Sequence, residues 1–160
     1  MIMGMRTLIL GLGNPILGDD SVGLQVAEAV RQQLPANPDI ETDTDYWGGL
    51  QLMERLVGYD RAIIIDAIVT GSNAPGTMLR LGPNDLPTQH SASAHDVNLP
   101  TALQLAATMG LHVPEHITII AIEAENTLDF DEHLTPAVAA AVPAAIQAVL
   151  DCVKLSVRVS

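Results

Sequence analysis

The sequence is poor in aromatic side chains, in cysteine and in positive charge. It has one Trp, two Tyr and one Phe among 160 residues, so a core must be built from Ala, Leu, Ile and Val. Hydrophobic residues still make up 48% of the chain, which excludes an intrinsically disordered protein. The single cysteine, Cys152, excludes an internal disulfide framework and is typical of a reducing compartment. We therefore expect the protein in the cytoplasm.

The shortage of basic residues excludes further classes. Seven Lys and Arg stand against 19 Asp and Glu, for a formal net charge of −12. A nucleic-acid partner requires a basic stripe, which is missing, and an anionic membrane would repel this chain. No uninterrupted apolar run reaches about 18 residues, so we expect no membrane insertion. The start codon (Met1, Met3 or Met5) and the oligomeric state stay open, with a monomer favoured.

Hydrophobic patterning predicts alternating strands and helices. The strand at 77–81 follows its predecessor too closely for a helical crossover, so it is antiparallel or at an edge. Pro143 should kink or interrupt the last helix. The order predicts a single three-layer α/β domain over 1–160: a mostly parallel, twisted, five-stranded sheet with one antiparallel or edge strand and helices on both faces. The predicted strands are 7–10, 40–46, 62–65, 77–81 and 117–122, and the predicted helices are 21–34, 50–57, 96–110 and 135–155.

Polar side chains follow the predicted strands at the edge where open α/β sheets bind ligands. Asp19 and Asp20 lie in the turn after the first strand, Asp66 directly follows the third, and His95 precedes the third helix. Two carboxylates and an imidazole suit Mn, Fe, Ni or Zn. Other interpretations stay open: helix capping for Asp19 and Asp20, amide hydrogen bonds for Asp66 and simple solvation for His95.

The glycine-rich turn has a second interpretation. Gly11 and Gly13 after a strand are typical of a dinucleotide-binding fingerprint. However, Ile16 stands where that fingerprint needs its third glycine, and Asp19 and Asp20 would repel phosphates. Nucleotide binding is therefore disfavoured.

Other catalytic arrangements are not apparent. The sequence shows no Ser-His-Asp or Cys-His set and lacks the His-Glu-x-x-His motif of many zinc proteases. Cys152 is expected to be buried in the last helix and inert. Glu123 and Glu125 follow the last strand, and we expect both to be solvated.

Several short motifs occur in order along nearly the whole chain, over about 6–150. They read Gly-x-Gly-Asn-x-x-x-x-Asp-Asp-x-x-Gly from Gly11, Asp-Ala-Ile from Asp66, Pro-Gly-Thr from Pro75, Ser-x-His-x-x-x-Leu from Ser93 and Leu-Thr-Pro from Leu134. Together these motifs resemble those of the hydrogenase maturation endopeptidases.

This resemblance implies an activity and a set of site residues. Such enzymes remove a short C-terminal extension from the large-subunit precursor of a nickel-iron hydrogenase after nickel insertion. The family's metal-contacting residues correspond to Asp20, Asp66 and His95, which we take as the catalytic and nickel-contacting set. The nickel is expected to arrive with the precursor, so the resting protein can be metal-free. Asn14 is expected to shape the turn, and Asp19 to cap a helix or support a neighbouring ligand.

One segment departs from the family pattern. The family's second strand often ends in Asp-Gly-Gly-Thr, whereas this chain reads Asp45-Tyr46-Trp47-Gly48-Gly49. We expect this segment to form a wall of the substrate cleft and to help determine which precursor is bound. Two other functions stay open: a metal-dependent hydrolase of small substrates that uses the same three side chains, and a chaperone that checks nickel in the precursor without cutting it.

Overall fold

The computed structural model describes residues 5–45, 49–85 and 99–158. Most of the loop predicted at 82–95, from residue 86 onward, and the predicted helix start at Asp96 lie outside the described residues. A short 3₁₀ helix, Gly18–Ser21, precedes the first α-helix. The strands are β1 Thr7–Leu12, β2 Ile40–Asp45, β3 Arg61–Ile68, β4 Met78–Leu81 and β5 His116–Glu123, and the helices are α1 Val22–Gln33, α2 Gly49–Leu56, α3 Leu99–Thr108 and α4 Pro136–Arg158.

The five strands form one mixed sheet in the order β2-β1-β3-β5-β4. All neighbouring pairs are parallel except β4 and β5, which are antiparallel. The predicted fold class is therefore confirmed, and β4 is both antiparallel and at an edge. The chain leaves β1 toward β2 on one side and returns to β3 on the other. This reversal between β1 and β3 is where sheets of this type open a ligand crevice.

Side-chain alternation along the strands divides the core into two layers. Ile63 and Ile65 of β3 belong to the buried cluster that contains α1 and α4. Ile64 and Ile68 belong to the opposite cluster, which contains residues of α2 and α3. The central strand β1 is buried along its whole length, whereas the edge strand β2 is partly exposed. The helices thus cover both faces, as predicted.

Three strands run further than their apolar runs predict, and β5 gains one residue at each end. β1 continues through Gly11 and Leu12 because both pair with β2. β3 continues to Ile68 because Asp66 and the two residues after it still pair with β5. The expectation that Asp66 follows the strand is therefore wrong, since it lies within β3, opposite Ala121. Pairing with a neighbouring strand, not side-chain polarity, sets these ends.

Helix α4 runs through Pro143 without interruption, against one of the two predicted outcomes. Proline has no N–H, so the carbonyl of Ala139 lacks the hydrogen bond that residue 143 would normally donate. Pro143 and Ala139 both lie on the exposed side of the helix, where water can replace that bond. By length and composition alone, Pro136–Lys154 could cross a membrane, although polar residues interrupt its apolar sequence. In the structure its buried side chains, such as Val138 and Val149, pack into the core against the sheet.

Candidate active site at the carboxyl edge of the sheet

Glycines bring the turn after β1 close to the neighbouring strands. A Cβ on Gly23 would lie 2.4 Å from the carbonyl oxygens of both Leu12 and Ile65. Gly13 has φ of +151°, and a Cβ there would lie 1.9 Å from the carbonyl oxygen of Asp20. Only glycine fits such approaches. The glycines of the first motif therefore serve to pack the 3₁₀ helix and α1 against β1 and β3.

Asp20 is held at the start of α1 by the turn that precedes it. The backbone N–H of Asn14 donates to Oδ2 of Asp20 at 2.9 Å. The backbone N–H of Ile16 donates to Oδ1 of Asn14 at 3.1 Å, which closes the turn as the sequence predicts for Asn14. The backbone N–H of Asp20 donates to the carbonyl of Leu17 at 3.1 Å. The half-buried carboxylate of Asp20 thus has a defined position at the edge of the sheet.

Asp66 lies on β3 next to the end of β1. Gly11 of β1 pairs with Ile65, so Asp66 is one residue beyond this pair. By alternation with Ile64 and Ile68, its half-buried side chain belongs to the face covered by α2 and α3. The 3₁₀ helix that carries Asp20 also contacts β3. The fold therefore brings two of the three predicted site residues to the reversal between β1 and β3.

The third predicted residue, His95, lies outside the described residues, as do Trp47 and Gly48 of the predicted specificity wall. α3, whose first residue comes four positions after His95 in the sequence, packs on the same face of the sheet as Asp66. Within 5–45, 49–85 and 99–158, no three His, Cys, Asp or Glu side chains are grouped so as to hold a metal ion. The set Asp20, Asp66 and His95 thus stays a prediction.

Asp19 is completely buried and joins two loops. Its carboxylate accepts hydrogen bonds from the backbone N–H groups of Glu125 and Asn126, both at 2.9 Å, and of Thr135 at 2.7 Å. The Thr135 hydroxyl also donates to it. Burial acts to raise the pKa of Asp19, but these hydrogen bonds to the charged form outweigh it and hold the pKa below its usual value.

The role of Asp19 differs from helix capping, one of its predicted interpretations. Neither the 3₁₀ helix nor α1 has a side-chain hydrogen bond from its N-cap residue. The carboxylate instead reaches the loop between β5 and α4, residues 124–135, which we call the β5–α4 loop. Its main partner, Thr135, stands out in the sequence only as the middle residue of the Leu-Thr-Pro motif. The distance along the chain hides this pairing from any local pattern.

Backbone hydrogen bonds tie the same two segments together. The N–H of Gly18 donates to the carbonyl oxygen of Asp131 at 2.7 Å, and the N–H of Asp131 donates to the carbonyl oxygen of Ile16 at 3.0 Å. The N–H of Asp19 donates to the carbonyl of Asn126 at 2.7 Å. The turn that carries Asp20 and the β5–α4 loop therefore form one braced unit.

Glu123 is the last residue of β5 and is buried, so the expectations that it follows the strand and that it is solvated are both wrong. It is 2% exposed, and its carboxylate accepts hydrogen bonds from the N–H and the hydroxyl of Thr70 and from the side-chain amide of Asn73. Burial acts to raise the pKa of Glu123, but these bonds outweigh it and lower the pKa. Glu123 thus anchors the turn after β3. Glu125 is exposed, as predicted.

Cys152 is buried in α4, as predicted. Burial raises the pKa of its thiol above the usual value. The Arg61 guanidinium donates to the carbonyl of Cys152 at 2.7 Å and joins the start of β3 to α4. A buried thiol with a raised pKa is a poor nucleophile, so this cysteine belongs to the core.

Comparison with known proteins gives a family. A model described as hydrogenase maturation protease matches residues 47–152. The hydrogenase 2 maturation protease of Escherichia coli K12 is 32% identical over 95% of this chain and 93% of that protein. The hydrogenase expression/formation protein HupD of Rhizobium leguminosarum bv. viciae is 31% identical over 89% of this chain and 71% of that protein.

A solved structure supports the same relationship. The hydrogenase maturating endopeptidase HybD from E. coli superposes with a TM-score of 0.79 at 31% identity, covering 95% of this chain and 94% of that one. Because sequence and fold agree over almost the full length of the chain, it belongs to the hydrogenase maturation protease family.

Proposed function

We propose that this protein removes a short C-terminal extension from the large-subunit precursor of a nickel-iron hydrogenase after nickel insertion. Family membership supports a hydrogenase precursor as the substrate. The observation that carries the proposal is that Asp20, on the 3₁₀ helix that contacts β3, and Asp66, on β3 itself, both lie beside the reversal between β1 and β3. The free, buried thiol of Cys152 agrees with a reaction in the cytoplasm.

The nickel in this proposal is part of the substrate. Asp20, Asp66 and His95 contact the nickel that the precursor carries, and the metal marks the precursor as ready to be cut. Two carboxylates and one imidazole form a hard, weak set for free nickel, which prefers nitrogen- and sulfur-rich sites. Such a set suits recognition of nickel already bound in the precursor better than permanent storage of the metal.

The structure supports this role through the fixed position of Asp20. Its Oδ2 accepts from the backbone N–H of Asn14, and its backbone is packed against Gly13. Asp66 is held by strand pairing within β3. Because both carboxylates sit on well-supported backbone, they can meet a metal without a large rearrangement.

The test is cleavage of a nickel-loaded precursor, followed by intact mass. The parent protein should release one C-terminal peptide, whereas Asp66→Ala and His95→Ala should cleave at least about a hundredfold more slowly, since each removes a metal contact. Glu115→Ala is the matched control, because it removes an exposed acid that precedes β5 at the opposite edge of the sheet. Variants of Asp66 and His95 that cut as fast as the parent would overturn these assignments.

The same assay separates the two other functions. A hydrolase of small substrates would cut generic peptides with a metal of its own and ignore the state of the precursor. A nickel-checking chaperone would bind the precursor and release no peptide. Either result would replace the proposed activity.

A further inference from the structure

An exposed apolar patch lies on the two loops that hold the site together. Leu128 and Phe130 of the β5–α4 loop are 87% and 82% exposed, and Ile16 of the turn after β1 is 49% exposed. We call these three residues the loop patch. Phe130 is the only Phe of the sequence. Burying Phe130 against a partner removes apolar surface from water and so favours binding.

The two backbone segments that carry the loop patch are paired. A parallel bridge joins Leu17 to Asp131, so the residues before them, Ile16 and Phe130, lie on neighbouring backbone segments. The backbone hydrogen bonds between Asp131 and the residues on either side of Leu17 fix this pairing.

The loops that carry the patch are also held in place. The Asp19 carboxylate binds the N–H groups of Glu125 and Asn126, and the Asn126 side chain accepts from the N–H of Asp129 at 3.2 Å. The exposure of Leu128 and Phe130 is therefore not that of a loose loop tip. A surface ordered in advance loses little conformational entropy on binding.

The surroundings of the patch indicate the chemistry of its partner. Glu125, Asp129 and Glu132 are exposed on the same loop. The sequence has no Lys or Arg between Arg80 and Lys154. An apolar centre with an acidic fringe fits a partner segment that carries apolar side chains beside Lys or Arg.

The position of the patch selects the substrate as that partner. Ile16 and Leu17 belong to the turn that orients Asp20, and the N–H of Asp20 donates to the carbonyl oxygen of Leu17. We infer that the loop patch docks a segment of the hydrogenase precursor in which apolar side chains are flanked by Lys or Arg. This inference rests on the proposed function and adds to it a second contact, beside the carboxylates that meet the nickel.

The test compares steady-state cleavage of nickel-loaded precursor by the parent and by the double variant Leu128→Ser/Phe130→Ser. The patch contributes to binding and not to the reacting atoms, so KM should rise about tenfold with kcat unchanged. Met109→Ser is the matched control, because Met109 is 61% exposed next to the end of α3, away from the patch. An unchanged KM in the double variant, with an active parent, would overturn the inference.

A charge-reversed variant tests the acidic fringe. Asp129→Lys/Glu132→Lys should also raise KM, and the increase should shrink as salt is added, since salt screens exposed charges. An increase in KM that is independent of salt would contradict the basic partner. A parent protein that sediments as a dimer, with the double Ser variant monomeric, would assign the patch to a second copy of this chain and overturn the inference.

Failure of the proposed function gives a different result. If the parent binds the precursor but releases no peptide, the cleavage proposal fails. The Kd of the same variants for the precursor then tests the loop patch directly. A Kd about tenfold weaker for the double Ser variant supports the patch, and an unchanged Kd overturns it.

Discussion

Asp19→Asn removes the charge that joins the turn after β1 to the β5–α4 loop and keeps the size of the side chain. The carboxylate accepts from the N–H groups of Glu125, Asn126 and Thr135. An amide has one acceptor oxygen and one NH₂ group. In its best orientation the amide oxygen still accepts hydrogen bonds from the N–H groups of Glu125 and Asn126. The NH₂ group then faces the N–H of Thr135, and two donors cannot bond to each other.

The expected loss of stability follows from this geometry. The N–H of Thr135 loses its partner at a site where Asp19 is fully buried, which costs about 1–3 kcal/mol. The two bonds that remain are no longer charge-assisted, which adds roughly 1 kcal/mol. We expect the free energy of unfolding at pH 7 to fall by about 2–4 kcal/mol, and Tm by roughly 5–15 °C.

The effect should depend on pH in one direction. The pKa of Asp19 is lowered in the folded protein by its backbone hydrogen bonds. Such a group stabilises the fold above its unfolded pKa of about 4, and this contribution is lost as the pH falls through the lower folded-state pKa. The difference between parent and variant should therefore be full above about pH 5 and should shrink as the pH falls below about 4.

Urea denaturation at pH 7, 5 and 3.5 measures this difference. Asp129→Asn is the control, because it removes the same charge from an exposed position on the same loop and should stay within about 0.5 kcal/mol of the parent. Equal stability of Asp19→Asn and Asp129→Asn at pH 7 would refute the role given to Asp19.

Three further variants or probes test other contacts. Gly23→Ala should lower the free energy of unfolding by about 3 kcal/mol or prevent folding, because its Cβ would clash with two backbone carbonyls. Gly71→Ala is the control: Gly71 has φ of +72° but no atom within 4 Å, so the cost in thermal unfolding should be only about 1–2 kcal/mol. Glu123→Gln should lower the free energy of unfolding in urea by about 1–3 kcal/mol and speed proteolysis of the turn near Thr70, because it weakens the buried hydrogen bonds between Glu123 and Thr70. An unchanged rate of digestion would contradict the role of Glu123 in holding this turn. Cys152 should react with a thiol reagent at pH 8 only as the protein unfolds, and rapid reaction of the native protein would contradict its burial.

The fold follows from the sequence because its strongest signals are local. The β-branched run at 62–65 and the apolar run at 117–122 lie in β3 and β5, which are buried at the centre of the sheet. Strand ends were less predictable. Asp66 ends the apolar run but not the strand, because backbone pairing with Ala121 continues beside it. A local pattern does not contain the partner strand.

The positions of Asp20 and Asp66 near the reversal between β1 and β3 could be predicted from strand order, whereas contacts between distant segments could not. Asp20 and Asp66 follow from asking which polar residues lie near the carboxyl ends of strands. Asp19 was expected to cap a helix or to support a neighbouring ligand, and Glu123 to be solvated, yet both are buried and bind distant loop residues. The sequence separation between Asp19 and Thr135 is 116 residues, so their contact appears only in the folded chain.

The proposed function has two parts: this protein recognises nickel in a hydrogenase large-subunit precursor and then cuts that precursor. The most direct measurement is the intact mass of one precursor, prepared with and without nickel, before and after incubation with this protein. The proposal predicts that a single C-terminal peptide is lost from the nickel-loaded sample and that the nickel-free sample keeps its full mass. Equal cleavage of both samples would contradict nickel recognition, and cleavage of neither would contradict the proposed activity.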